Sequence, residues 1–410
     1  MVIDMTVPAP LPLAIRAQRI KASEIRELLK LVDRPGMISF AGGIPDPALF
    51  NVADFQAAYR EVFSGAASAR QALQYSATEG HLPLRRWIAG AMAAQGIACG
   101  PDNILVTNGS QQALDLIGKL AIDPGSRVLV AAPTYLGALQ CFSAYEPQFV
   151  PTDFAAADAA AAPARLIYLV PDFANPSGET MDRAARERVL DLAGQCGALV
   201  VEDAAYTALR YEGEGVAPIA AIDQARQGSI ERSRTLYCGT FSKTLSPSLR
   251  IGWIAGPSEL IRKLTLIKQG ADLHTSTVNQ MVMALVAEQS FDAQVERARA
   301  TYRPRRDAML AALSRYAPEG MAWSRPEGGL FVWVTLPAGV AAAHVLEKAL
   351  REDVAFVPGG AFFADGSGRD TLRLSFSLCT EAMIEAGIYK LCALIRQEIA
   401  DRPVARRTAG

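Results

Sequence analysis

The chain has 410 residues, half of them apolar, with 41 lysines and arginines against 42 aspartates and glutamates, for a formal charge of −1. That length can bury one large core and a smaller one, and the balanced charge gives no electrostatic footprint for nucleic acid or an acidic membrane surface. The six cysteines (Cys99, Cys141, Cys196, Cys238, Cys379, Cys392) form no CxxC pair and read as buried hydrophobes in a reducing compartment.

The opening MVIDMTVPAPLPLAIRAQR is broken by three prolines and lacks a basic start, so it is a poor signal peptide. No apolar run approaches the ~20 residues of a membrane span, and a cytoplasmic location is expected. SEIRELLKLV (23–32) follows, a predicted helix with Ile25, Leu28, Leu29 and Val32 on one face. Between about residues 100 and 255, strand-sized apolar runs alternate with helix-period segments. The runs are ILVT (104–107), RVLVAA (127–132), RLIYLV (165–170), ALVVED (198–203), TLYCG (235–239) and RIGWIAG (250–256). Their lack of polar alternation suits strands buried on both faces. Between them QQALDLIGKLA places Leu114, Ile117 and Ala121 on one stripe.

This pattern predicts an α/β fold, a mostly parallel sheet sandwiched by helices. The alanine-rich stretch Ala155 to Ala164 reads as an inserted loop or short helix. After residue 285 come a charged helix (FDAQVERARATYR), the strand GGLFVWVTL, a helix (AAAHVLEKALRE) and the strand TLRLSFSL, a smaller α+β domain. The expected division is an N-terminal arm (1–45) packing with the small domain, a large domain (46–285) and the small domain (286–410). The tail ARRTAG is expected to be disordered.

Ligands of such sheets sit at the carboxyl ends of strands. After ILVT stand Asn108-Gly109-Ser110-Gln111 and a helix start, a candidate anion site that alone is only a capped helix. There is no GxGxxG and no GxxxxGK[ST], which disfavours a dinucleotide or a nucleoside triphosphate. Subsequent strand ends offer Tyr135, then Asn175 in a rigid PDFANPSG loop, then Asp203, then Lys243 in TFSKTLSPSLR with Arg250 beyond it. Aspartate at the end of a buried strand is costly to ionise without a cation beside it. Pyridoxal 5′-phosphate asks for all of these: a lysine for its Schiff base, a carboxylate for its pyridine nitrogen, an aromatic on the ring and a phosphate cup. A buried Lys243 with a lowered pKa is then the nucleophile.

The order PTY, NPSG, DxAY and TFSK followed by an arginine resembles the fold-type I, class I/II aminotransferases. ISFAGGIPDPALF and LQYSATEGHLPLRRWIA extend the likeness to the subgroup of 2-aminoadipate, kynurenine and multi-substrate aminotransferases, over about residues 20 to 395. The resemblance implies a transaminase working in two half-reactions, with Lys243 as Schiff base and proton shuttle and 2-oxoglutarate as acceptor. It implies that the phosphate is held by the backbone of Ser110 and Gln111, by the hydroxyls of Thr240 or Ser242, and by Arg250. Tyr135 would stack on one ring face and Ala205 support the other, while Asn175 and Tyr206 bind the phenolic oxygen. Lys243, Asp203 and Tyr135 make up the implied catalytic set. Tyr75 would reach the neighbouring subunit of a homodimer with shared sites.

Alternation in TLRLSFS turns Arg373 away from Leu372 and Leu374, so its planar fork can take an α-carboxylate; alone it would read as a solvated strand arginine. By the resemblance Arg373, Asn175, Gly43 and Arg26 contact substrate, Arg26 through a distal carboxylate. Expected donors are 2-aminoadipate-like, aromatic or branched-chain amino acids. Two alternatives stay open, a lyase or decarboxylase on the same site residues and a regulator carrying this domain. The remaining conspicuous residues read blandly. His81, His274 and His344 lack metal-ligand spacing, and no metal is expected. Arg303, Arg305 and Arg306 read as one solvated helix face, and Trp323, Trp333 and Phe331 as small-domain core.

Overall fold

A computed structural model describes residues 13–14, 16–17, 34, 36–155 and 162–401. The predicted helix at 23–32, part of the alanine-rich stretch (156–161) and the tail therefore lie outside the described residues.

In chain order the described strands and helices begin with β1 (Ile38–Ser39), α1 (Val52–Ser64), α2 (Ala66–Leu73) and α3 (Leu82–Ala94). Next come β2 (Ile104–Thr107), α4 (Ser110–Ala121), β3 (Arg127–Val130), α5 (Leu136–Ser143), β4 (Gln148–Pro151) and β5 (Leu166–Leu169). They are followed by α6 (Arg183–Cys196), β6 (Leu199–Asp203), α7 (Ile219–Gln227), β7 (Thr235–Thr240), β8 (Gly252–Ala255) and α8 (Ser258–Gln269). The chain closes with α9 (Thr277–Tyr316), β9 (Ala322–Trp323), β10 (Phe331–Thr335), α10 (Ala342–Arg351), β11 (Val354–Ala355), β12 (Val357–Pro358), β13 (Thr371–Ser375) and α11 (Glu381–Ala400).

Seven strands form one sheet in the order β2-β8-β7-β6-β5-β3-β4. Strands β2, β5, β7 and β8 are buried along their whole length, which explains their unbroken apolar sequences. On one face α4 buries Leu114 and Ile117 in the largest core; on the other, Leu84, Ile88 and Met92 of α3 pack with Val282 and Met283 of α9. The expected sheet is present, with two additions. β4 is a parallel edge strand whose exposed ends carried no clear pattern. β8 runs antiparallel to both β2 and β7, because the connection 241–251 is too short for a helical crossover.

The second sheet is antiparallel, in the order β12-β13-β10-β9, and β1 pairs in parallel with β11 beside it. Ser375 N–H donates to the Phe40 carbonyl at 2.8 Å, so the segment after β1 is tied across this sheet and delivered toward the ends of the large-sheet strands. Helix α9, 40 residues long with Pro304 inside it, packs against α1 and α3 at one end and α11 at the other. The charged helix expected after residue 285 is its central part, so that boundary falls within a continuous helix.

Arg306 and Arg305 correct the sequence reading. Arg306 is buried, donating to Glu212 Oε1 (2.8 Å) and the Pro326 carbonyl (2.9 Å), and Arg305 donates to Asp46 Oδ2 at 2.7 Å. Of the three arginines only Arg303 is solvated. A 40-residue helix joining two sheets has partners all round, which a local charge pattern cannot reveal.

Candidate active site

Lys243 follows β7 in a tight turn at the carboxyl end of the sheet. Thr240 Oγ1 accepts from the Ser242 N–H (3.1 Å) and lies 2.9 Å from Ser242 Oγ and 3.2 Å from the Ile251 carbonyl, so this hydroxyl is occupied within the turn. Lys243 Nζ donates to the Gly43 carbonyl at 2.9 Å and stands 5.7 Å from the Tyr206 ring centre. Burial, and then the positive charge of Arg373, lower its pKa to about 8, while Asp203 opposes them. Gly43 is required at its position, since a Cβ there would lie 2.4 Å from Cζ of Phe331.

Asp203 ends β6, buried, and Tyr168 donates to its Oδ2 at 2.8 Å. Burial raises its pKa to about 6 against the hydrogen bond from Tyr168, the charge of Lys243 and the backbone N–H of Ala205. Its other oxygen, Oδ1, is buried with no hydrogen-bond partner. A carboxylate with one oxygen met and one unmet calls for a further donor, ideally cationic. A protonated pyridine nitrogen is such a donor.

The turn before α4 fits the phosphate end. Gly109 adopts φ +77°, and α4 begins there without a side-chain cap, leaving its first amides directed outward. Arg250 has left-handed backbone (φ +57°), a strained conformation for a non-glycine residue that aims its guanidinium across Gly109. Its Nη2 donates to the Asn108 carbonyl at 3.4 Å, and a Cβ at Gly109 would meet that atom at 2.6 Å. Gly252 of β8 lies against the same turn, where a Cβ would fall 2.8 Å from the Gly109 carbonyl carbon. Ser110 is half-buried, and the Gln111 side chain donates away to the Gly137 carbonyl at 3.0 Å. Three groups thus converge, an amine, an acceptor and an anion cradle, and together they fit pyridoxal phosphate.

On the facing wall Arg373 is buried. Its Nη1 donates to Asn175 Oδ1 and its Nη2 to the Ala41 carbonyl, both at 2.7 Å, while Nε has no partner. The guanidinium stacks on Phe331 (4.3 Å) and Phe362 (5.0 Å), and burial lowers its pKa to about 10. Tyr206 lies edge-on to Phe331 at 5.7 Å, and burial raises its pKa while a hydrogen bond with Asn175 opposes that. Burial also raises the Tyr135 pKa, reinforced by the charge of Asp203 and opposed by those of Arg373 and Arg250. Gly137 clears space for that ring, since a Cβ there would sit 2.4 Å from Tyr135 Cζ.

The cluster thus gathers Lys243, Asp203, Tyr135, Asn175, Ala205, Tyr206, Arg250, Arg373, Gly43 and the Ser110 turn. Tyr75 stays outside it, 77% exposed and edge-on to His274 at 5.7 Å, and Arg26 lies outside the described residues. Two residues escaped the sequence reading. Phe331, read as plain core, is the platform under Arg373, and Tyr168 holds Asp203. A buried hydroxyl in an otherwise apolar strand signals a partner, and this was the clue available for Tyr168.

The family model described as "Aminotransferase class I and II" matches residues 37–391. Aromatic-amino-acid aminotransferase 1 of Thermococcus litoralis is 44% identical over 400 residues, covering 94% of each chain. The 2-aminoadipate transaminase of Thermus thermophilus is also 44% identical, over 92% of this chain and 94% of its own. The crystal structure of Pyrococcus horikoshii kynurenine aminotransferase, in complex with PMP, KYN and KYA, is similar at a TM-score of 0.87 and 40% identity, covering 94% of this chain and 97% of that one.

Proposed function

The chain belongs to the class I and II aminotransferases and is a pyridoxal-phosphate-dependent transaminase, and on that premise we propose what its own residues do. Lys243 Nζ binds the cofactor at rest and, once freed, accepts the proton leaving substrate Cα. A pKa near 8 keeps part of that amine neutral at physiological pH. When bound, the protonated cofactor ring supplies the electron sink for that deprotonation. Asp203 keeps the ring nitrogen protonated, and Tyr135 and Ala205 flank the ring. Asn175 and Tyr206 hold its phenolic oxygen. The Ser110–Gln111 backbone, Ser242 and Arg250 hold the phosphate, while Thr240, whose hydroxyl is engaged inside the turn, holds Ser242 in place. Arg373 takes the α-carboxylate of the amino acid, beside Gly43.

One observation carries this assignment. Asp203 Oδ1 and Arg373 Nε are buried without partners in the cluster around Lys243, one an acceptor awaiting a donor and the other a donor awaiting an acceptor. A protonated ring nitrogen answers the first and a substrate carboxylate the second.

The proposed donors are 2-aminoadipate-like and aromatic amino acids, supported by the names of the relatives, together with branched-chain amino acids, and the proposed acceptor is 2-oxoglutarate. The proposed assembly is a homodimer in which exposed Tyr75 reaches the neighbouring subunit's phosphate, with an arm (1–45), a large domain (46–285) and a small domain (286–410). Among the described residues no helix is long and apolar enough to cross a membrane, and we place the enzyme in the cytoplasm. Mixing the holoenzyme with one amino acid and no acceptor should release a single equivalent of 2-oxo acid per site. Continued release, with ammonia, would make it an eliminating lyase instead, and release of carbon dioxide and an amine would make it a decarboxylase. A panel of amino acids including 2-aminoadipate and kynurenine, with 2-oxoglutarate, identifies the donor.

A further inference from the structure

Lys268 on α8 is wholly buried, yet it lies outside the set of residues just assigned to the chemistry. Its three ammonium hydrogens are all used, donated to Gln112 Oε1 at 2.9 Å and to Asp272 Oδ1 and Oδ2 at 2.7 and 2.8 Å. Gln112 Nε2 donates to Asp272 Oδ2 at 2.7 Å, which fixes the amide so that its oxygen faces Lys268. That same oxygen accepts the backbone N–H of Asn108 at 2.8 Å, and Asn108 Nδ2 donates to Asp272 Oδ2. Asn108 is thus held by its main chain and its side chain at once. Its carbonyl accepts from Arg250, and Gly109 and Ser110 follow immediately.

A buried ammonium–carboxylate pair rarely stabilises a fold more than apolar residues of the same volume would, so its presence calls for a positional reason. Here the side-chain hydrogen bonds that the pair makes to other residues go to Asn108 and to Gln112, whose oxygen in turn accepts the Asn108 N–H. Lys268 and Asp272 carry opposite charges, so their joint effect on an anion near Gly109 is one of shape and not of attraction.

We infer that Lys268, Asp272 and Gln112 are positioning residues that hold the Asn108–Ser110 turn and Arg250 in phosphate-binding shape from the side opposite the ligand, before the cofactor arrives. The inference rests on the reading that pyridoxal phosphate occupies this cleft. Preorganisation of this kind acts on the affinity for the phosphate group and not on the affinity for the ring.

The test is the dissociation constant of the apoenzyme for pyridoxal 5′-phosphate and for pyridoxal, which lacks the phosphate, followed by absorbance titration. Lys268→Met should weaken pyridoxal 5′-phosphate about tenfold or more and leave pyridoxal within about twofold. Gln112→Met leaves the Lys268–Asp272 pair intact, so it guards against loss of the fold, and it should show the same phosphate-selective loss. Equal losses for both ligands, or none for pyridoxal 5′-phosphate, would overturn the inference while leaving the transaminase assignment in place. A wild-type apoenzyme that binds neither ligand would overturn both.

Discussion

Glu202 and Asp203 are neighbours on β6, and the structure treats their buried carboxylates in opposite ways. Glu202 accepts from the Ile219 and Ala220 N–H groups at the start of α7, at 2.9 and 2.8 Å, and stands 3.9 Å from Arg186. Arg186, itself fully buried, donates to Asp172 at 2.7 Å and to the carbonyls of Met181, Ala217 and Pro171. There both carboxylates meet a cation, and Glu202 is capped by two amides as well. One residue later on the opposite face of the sheet, Asp203 keeps an oxygen without a partner. Of these two neighbours, the scaffold carboxylate is satisfied from within the chain, whereas the one in the site leaves polar capacity open for what it binds. Burial alone does not distinguish the two. The accounting of partners does.

The largest effect expected from this contrast is at Lys243. Lys243→Ala should lower transamination by at least about a thousandfold while the thermal midpoint of the apoprotein stays within a few degrees, because no carboxylate depends on that amine for its hydrogen bonds. Near-normal turnover in single-turnover assays would remove Lys243 from the mechanism. Arg186→Met should do the reverse. It leaves Glu202 without its buried cation and Asp172 with only Arg210, 3.5 Å away, and urea unfolding should report a loss of about 3–5 kcal/mol. An unchanged urea midpoint would end the contrast between scaffold and site. At the proposed carboxylate clamp, Arg373→Met should cut kcat/KM about ten- to a hundredfold, equally for acidic, aromatic and aliphatic donors, since all present the same α-carboxylate. A loss confined to acidic donors would move Arg373 to side-chain recognition.

A finer test uses pH. In the apoprotein the rate of pyridoxal uptake should rise with pH to a plateau set by an ionisation near 8. Asp203→Asn removes the charge that raises the Lys243 pKa, so the midpoint should move lower; a move upward would contradict the electrostatics of the cluster. The same ionisation bears on stability. Between about 8 and 10.5 the unfolded chain holds a proton that the folded Lys243 has lost, so this group makes the apoprotein more stable as pH rises through that window. Lys243→Met should remove that contribution to the slope. The smallest effect belongs to Arg210–Glu327, an ion pair at 2.6 Å whose carboxylate is half exposed. Glu327→Gln should cost less than about 1 kcal/mol in the same urea assay.

Much of this was legible in the sequence. β2, β5, β6 and β7 fell within a residue or so of their predicted places because strands buried on both faces leave no choice but apolar runs. Lys243, Asp203, Arg250 and Arg373 could be found because their chemistry is out of place next to such runs. What escaped depends on partners distant in the chain. Arg305 meets Asp46 and Arg306 meets Glu212 across the fold, so neither shows its role in its own helix. Phe331 looked like core because its ring is buried; its place under Arg373 follows from the pairing of β10 with β13, which puts Trp333 opposite Arg373 and Phe331 opposite Ser375. The direction of β8 was readable, from the length of its connection, but only by asking what a short link can join.

Gly252 stands opposite both Thr107 of β2 and Thr240 of β7, in the two registers that β8 makes. The turn proposed to hold the phosphate begins after the first of those threonines and the lysine turn after the second, so a single inserted strand sets the spacing between them. In a refolding chain the two turns reach their native spacing only when that strand is seated, and seating it requires pairing residues about 150 positions apart, the slow kind of contact. Cofactor capture during refolding should therefore lag the recovery of helical signal and arrive with the closing of the sheet.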